Sequence, residues 1–253
     1  MSLDLALVRG IEERAFNAWP ALQTLVADGW LLRFADGFTK RANSINAWAP
    51  IVPVDVIVTH AAPIYAGRRL PLVVRLSPLA DLDADAVLAS RGLARCDETI
   101  VMIVPLSELT DAPPDPTVVV SPEPGDAWLA GFAAANGVPG ARRAVHDRML
   151  ALIPQPAAFS QLMVGGQAVA WGLAVVERGM VGLFDIVTAP QSRRQGAGRR
   201  LVSALLAWGA RNGASTAYLQ VVAANAPALE LYERLGFREA YRYHYRIGEL
   251  QQP

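Results

Sequence analysis

Apolar residues recur along this chain in two rhythms, and the changes of rhythm mark its elements. Leu3, Leu7, Ile11 and Phe16 stand at helical spacing, and Trp19-Pro20 closes that run. Strands are expected near Trp30–Phe34 and Ser44–Ala49, followed by a helix over 54–66, a strand over 72–76, a helix over 84–90, and strands around 93–95 and 99–104. Farther on, 117–120 reads as a strand, 126–136 and 142–152 as helices, 159–164 with 168–177 as a hairpin, and 181–187 as a strand. The spacing of Leu201, Leu205, Leu206 and Trp208 predicts a helix, Tyr218–Val222 a strand, and Pro227 to Leu235 a last helix. Tyr241, Tyr243 and Tyr245 alternate at strand spacing, so their rings share one face and pack together. Strands interleaved with helices make this a mixed α/β chain.

Two features divide it. Asp111-Ala112-Pro113-Pro114-Asp115-Pro116 resists both helix and central strand, which predicts domains over 1–110 and 117–253 with a proline-rich linker over 111–116. There is also an internal echo: Leu88-Ala89-Ser90-Arg91-Gly92-Leu93 followed by a strand matches Tyr232-Glu233-Arg234-Leu235-Gly236-Phe237 followed by a strand. That echo suggests duplication, with Leu88 in the place of Tyr232.

Composition excludes several classes. Hydrophobic residues make up 53% of the chain, which rules out global disorder. Lys+Arg and Asp+Glu are equal at 23 each, so nucleic acid is not expected as a partner. The longest apolar region, Leu162 to Val176, is interrupted by Gly165-Gly166-Gln167 and reads as a hairpin rather than a membrane span, which needs about 20 apolar residues. The single Cys96 forms no intrachain disulfide, and the N-terminus lacks the basic and apolar regions of a signal peptide, so a cytoplasmic location is expected.

Against that neutral background one stretch stands out. Arg193-Arg194-Gln195-Gly196-Ala197-Gly198-Arg199-Arg200 lies between an apolar strand, Leu183 to Val187, and the start of a helix. Arginine is unfavourable at a helix N-terminus unless an anion compensates it, whereas the exposed amides there attract anions. No Asp or Glu occurs between Asp185 and Glu230, so the turn would draw in a phosphate-bearing ligand. A P-loop would need Gly-Lys-Ser/Thr where Gly198-Arg199-Arg200 stands. A dinucleotide fingerprint would need a small residue at Leu201 and an acid where Gln220-Val221-Val222 follows.

The spacing of Arg193, Gly196 and Gly198 resembles the pyrophosphate loop of the GCN5-related N-acetyltransferase (GNAT) family. The order that follows extends the resemblance: a strand Tyr218–Val222, then Asn225, a helix carrying Tyr232, and Gly236-Phe237. By motif it covers roughly 117–247. Gly29-Trp30-Leu31-Leu32-Arg33 and Thr39-Lys40-Arg41-Ala42-Asn43-Ser44 look like the first half of a bacterial tandem-type subgroup. The resemblance implies a GNAT fold in the C-terminal half, preceded by a smaller, degenerate GNAT-like αβ domain. The first half has Ala49-Pro50-Ile51-Val52-Pro53 where a glycine-arginine loop would be required, so it is not expected to bind coenzyme A (CoA).

The resemblance further implies acetyl-CoA as cosubstrate and direct transfer of its acetyl group to a primary amine, on a small molecule or a protein, with no metal. The strand before the loop would be bulged and splayed from the next one, so that the pantetheine arm lies along Ile186, Val187 and Thr188, with the pyrophosphate against the backbone of Arg193, Arg194, Gln195, Gly196, Ala197, Gly198 and Arg199. Asn225 would hydrogen-bond the pantetheine or cap the next helix, and both roles are compatible. Tyr232 would be the general acid toward the departing sulfur, although its place on a helix face with Leu229 equally suits a buried aromatic. Asp185 is the first candidate for the base and Glu177 the second. A backbone N–H around Val187 or Thr188 would meet the carbonyl oxygen as charge develops.

Other constellations are poor. His60, His146 and His244 lack ligand-like spacing, so no metal is expected, and there is no Gly-x-Ser-x-Gly elbow of a serine hydrolase. The polar stretch 39–44 is read either as part of an acceptor pocket or as a turn with solvated charges. Alternative functions are a non-catalytic acyl-CoA-binding or sensing module, and transfer of another acyl group to a protein amine.

Overall fold

The computed structural model describes residues 4–109 and 115–249, so 111–114 of the proline-rich tract lie outside the described residues. In chain order the elements are α1 (Leu5–Ala18), β1 (Gln23–Ala27), β2 (Trp30–Phe34), β3 (Ile45–Ala47), α2 (Val54–Gly67), β4 (Leu72–Leu76), α3 (Ala84–Ser90) and β5 (Ala94–Pro105). They continue with β6 (Val118–Ser121), α4 (Asp126–Asn136), α5 (Gly140–Leu150), β7 (Ala157–Val164), β8 (Gln167–Glu177), β9 (Met180–Thr188), α6 (Ala197–Arg211), β10 (Thr216–Val222), α7 (Ala226–Arg234) and β11 (Arg238–Gly248). Among the described residues no helix is long and apolar enough to cross a membrane. The chain is a mixed α/β protein.

The chain forms two compact units. One runs up to Ile100 and takes in Val222–Ala224 and the chain from Ala240; the other holds Val101–Val221 and Asn225–Glu239. The divisions fall inside β5 and β11, so each of these strands serves both units.

In the first unit, β1, β2 and β3 form an antiparallel meander, and α2 crosses over to bring β4 parallel to β3. Strand β11 then pairs antiparallel with β4, His244 opposite Leu76. Helix α2 buries Val54, Ile57, Val58, Ala61 and Tyr65 against the apolar faces of β2, β3 and β4. The polar stretch after β2 is organised by Asn43, whose side chain accepts from the N–H of Ala35 and Gly37 and donates to the carbonyls of Phe38 and Thr39. An amide in this position replaces backbone pairing that a tight turn cannot supply.

A buried polar cluster lies beneath α1. Glu12 accepts both terminal nitrogens of Arg75 and, at 2.6 Å, the hydroxyl of Tyr241. Arg33 donates to the carbonyls of Phe16, Trp19 and Arg41, and Arg75 lies 3.6 Å over the ring of Tyr243. The tyrosine alternation expected to serve packing therefore also supplies polar partners.

The second unit repeats this order of elements. Strands β7, β8 and β9 form an antiparallel meander, and α6 crosses over to place β10 parallel to β9. The echo in sequence is an echo in geometry. After α3, Leu93 N–H donates to Leu88 O and Gly92 has φ +85°; after α7, Phe237 N–H donates to Tyr232 O and Gly236 has φ +84°. Both helices end through a left-handed glycine that any side chain would strain.

Two expectations are corrected. The strands foreseen at 93–95 and 99–104 are one strand, β5, because polar Cys96 to Glu98 hid the continuity. Strand β1 was not foreseen: it is an edge strand whose residues are almost all exposed, so it carries no alternation.

Candidate functional site

The second unit brings the sequence-predicted residues together around the end of β9. Along most of that strand the ladder to β8 is regular, but Trp171 pairs with Val187 while Leu173 pairs with Phe184. Asp185 and Ile186 thus face the single residue Gly172, a β-bulge with Asp185 at φ +51°. The residue opposite is closely packed: a Cβ built on Gly172 would lie 2.7 Å from Ile186 Cδ1 and 2.9 Å from Leu205 Cδ1, and those side-chain ends would have to shift.

On its other side β9 pairs with β10 only from Met180↔Thr216 to Leu183↔Leu219, although both strands continue. Beyond Leu183 the backbone of β9 is released from that neighbour just where Ile186, Val187 and Thr188 become partly exposed. A strand with unused N–H and C=O groups on one edge can hydrogen-bond an extended ligand.

The arginine loop follows at once. A short 3-10 turn at Pro190–Ser192 leads to Arg193, Arg194 in the left-handed region at φ +61°, and Gly196 at φ +79° as the N-cap of α6. Gly196 offers no side-chain cap, and the first turn of α6 holds no acid, so the leading amides there are left for an anion. Arg193, Arg194 and Gln195 are exposed. The Nε of Arg193 donates back to Thr188 O at 3.2 Å, which folds the loop against the end of β9. Gly198 closes the arrangement, since a Cβ there would stand 3.5 Å from Thr188 Oγ1 and 3.4 Å from Leu231 Cδ2 of α7. Strand end, loop and α7 therefore converge within side-chain reach.

The four arginines are not equivalent. Arg200 is paired with Asp115 at 2.8 Å and also donates to Thr117, which holds the Asp115 carboxyl well below its usual range. Arg199 lines an open groove of about 400 Å³ with Gly196, Ser203, Ala207, Arg211 and Val120.

On α7, Asn225 caps the helix by accepting from Ala228 N–H at 3.3 Å, so the capping role is the one seen. Tyr232 is buried, its ring set edge-on to Phe237 with centroids 5.8 Å apart, and its hydroxyl has no hydrogen-bond partner among the described residues. Burial pushes that hydroxyl up to about 12, so it stays protonated at neutral pH.

Of the acidic candidates, Glu177 lies opposite Met180 at the hairpin end of the β8–β9 ladder, away from the bulge, and engages Gln155 and Arg178. It is an anchor for that turn. Asp185 sits in the bulge, and its Oδ2 lies 2.7 Å from Nε2 of His146 on α5. Sequence reading passed over His146, because nothing links residues so far apart along the chain. His146 is buried and packs against Phe132, ring centroids 4.9 Å apart. No group of residues able to hold a metal ion occurs among the described residues.

The family model described as the C-terminal region of the probable histone acetyltransferase Rv0428c matches residues 6–246. The chain is 30% identical over 243 residues to an uncharacterized N-acetyltransferase, YobR, of Bacillus subtilis, covering 95% of this chain and 98% of that protein. It is also 30% identical over 256 residues to the probable histone acetyltransferase Rv0428c of Mycobacterium tuberculosis, covering 95% of this chain and 74% of that one. Among solved structures, a GCN5-related N-acetyltransferase from Kribbella flavida shares the fold with a TM-score of 0.67 at 17% identity, over 94% of each chain.

Proposed function

This chain belongs to the GCN5-related N-acetyltransferase family and is an acetyltransferase, and from that premise we propose that it moves the acetyl group of acetyl-CoA directly to a primary amine. The observation that carries the proposal is the end of β9: a bulge at Asp185, release from β10 beyond Leu183, and an uncapped helix start behind an arginine loop, all in one unit. An extended pantetheine would pair with the free edge of Ile186 to Thr188. The pyrophosphate would rest on the amides from Gly196 to Arg199, with Arg193, Arg194 and Arg199 supplying charge. The site is assigned wholly to residues 117–253. Helix α2, the counterpart of α6, starts from Pro53 with no glycine-arginine loop before it, so the segment 1–110 is read as a degenerate lobe without a cosubstrate.

In the transfer the acceptor nitrogen bonds to the acetyl carbon, the carbon–sulfur bond breaks, the nitrogen loses a proton and the sulfur gains one. Asp185 would take the first proton and Tyr232 would give the second, its neutral hydroxyl being kept by burial. An amide N–H near Val187 or Thr188 would stabilise the charge on the carbonyl oxygen. The mycobacterial relative's name supports an amine on a protein as the first acceptor to try. The test is CoA release from acetyl-CoA with a panel of polyamines and of peptides bearing free α- and ε-amines. Release that depends on the amine supports transfer. Tight acetyl-CoA binding with no release across the panel would turn the reading to a binding module.

A further inference from the structure

The bulge sets Asp185 in a backbone conformation that non-glycine residues adopt rarely, φ +51°, in the middle of a strand. Such a conformation persists only where the surroundings hold it. One group that meets this residue is the imidazole of His146, whose Nε2 lies 2.7 Å from Asp185 Oδ2. The histidine side chain is 1% exposed and that of the aspartate 10%. So the imidazole is closed off from an incoming molecule, while the carboxylate keeps some exposed surface. The hydrogen bond described for the Asp185 side chain is made through Oδ2.

A carboxylate fixed through one oxygen presents the other in one direction. We infer that His146 is a positioning residue for acetyl transfer: it pins Oδ2 of Asp185 so that Oδ1 faces the acceptor amine and takes its proton. The inference rests on the transfer reading above. It also accounts for the setting of His146, whose contact with Phe132 fixes the ring plane and so the direction of Nε2. Positioning of this kind acts on the chemical step, because a base displaced by a fraction of an ångström loses its alignment with the proton.

Two substitutions separate this role from packing. His146→Phe keeps the ring against Phe132 but has no donor, and His146→Gln keeps a donor near the place of Nε2. Both would be made in the full chain and compared with wild type by CoA release from acetyl-CoA with a mixture of a polyamine and short peptides carrying free α- and ε-amines. The Phe variant is expected to lose about 30-fold or more in kcat with KM for acetyl-CoA changed less than about twofold, and the Gln variant to recover most of the loss. In an Asp185→Asn background His146→Phe should cost nothing further in kcat, since the group it positions has gone. Wild-type kcat in the Phe variant would overturn the inference, as would equal losses in Phe and Gln or an unchanged cost in the Asn background, with the transfer reading left standing. No amine-dependent release by the wild type would instead remove the transfer reading, and this inference with it.

Discussion

Gly172 of β8 and Ile186 of β9 are fitted to each other: a Cβ on Gly172 would lie 2.7 Å from Ile186 Cδ1. A methyl group added there would press on the side-chain ends of Ile186 and Leu205 beside the bulge. Gly172→Ala is expected to destabilise the protein by about 1–3 kcal/mol through overpacking and to weaken acetyl-CoA binding as Ile186 shifts. Denaturant midpoints and calorimetric titration would measure the two effects. Ile186→Ala in the same chain removes Cδ1 and should recover part of the stability; a double variant as unstable as the single one would place the strain elsewhere.

Arg193 and Arg200 flank the same loop but should respond differently. Arg200 is already neutralised by Asp115, whereas Arg193 only donates to Thr188 O and remains exposed. Arg193→Ala is expected to weaken acetyl-CoA binding about tenfold, roughly 1.4 kcal/mol, and Arg200→Ala less than about twofold. Raising ionic strength should narrow the gap, since the contribution is electrostatic and exposed. Equal affinities for wild type and the Arg193 variant would make that side chain a solvated charge.

Tyr232 carries a pH prediction. Burial raises its hydroxyl to about 12, which favours the neutral, proton-donating form, so kcat should show no alkaline fall from this group up to about pH 10. Tyr232→Phe should lower kcat about 10- to 100-fold at every pH in that range while leaving KM for acetyl-CoA nearly unchanged. Turnover equal to wild type across the profile would assign Tyr232 to packing with Phe237.

Glu12 holds the first unit together from within. It is the carboxylate that Arg75 and Tyr241 both meet in the interior. Glu12→Gln leaves the Arg75 charge without its partner, and about 3–5 kcal/mol of stability should go with it. Tyr241→Phe removes one hydrogen bond to a charged group and should cost about 1.5–3 kcal/mol. Chemical denaturation of the full chain checks both, and a near-neutral Glu12→Gln would show that another group balances Arg75.

Where a feature depends on neighbours in the chain, it was legible. The loop from Arg193 to Gly198 is short, and its glycines, its arginines and its lack of acids all lie within one turn. The capping of α7 by Asn225 follows from an Asn with Pro227 two residues on, at the start of the helix. The glycine-ended helices before Leu93 and Phe237 were visible as one repeated motif. Illegible were features set by partners far along the chain. The family resemblance implied a bulge in this strand, but its place at Asp185 is set by a mismatch with β8 and leaves no mark in the residues of β9 itself. Edge strand β1, from Gln23 to Ala27, is almost wholly exposed, so no buried face imposes an alternation on its residues.

The sequence by itself determined the mixed α/β class, the arginine-glycine loop and the family, because each rests on propensity, charge or spacing over a few residues. Tertiary structure alone decided which side chains meet. It joined His146 to Asp185, paired Arg200 with Asp115 while leaving Arg193 exposed, and stopped the β9–β10 ladder at Leu183. The physical reason is that hydrogen bonds and ion pairs act over about 3 Å in space, and only the folded backbone decides which residues come that close.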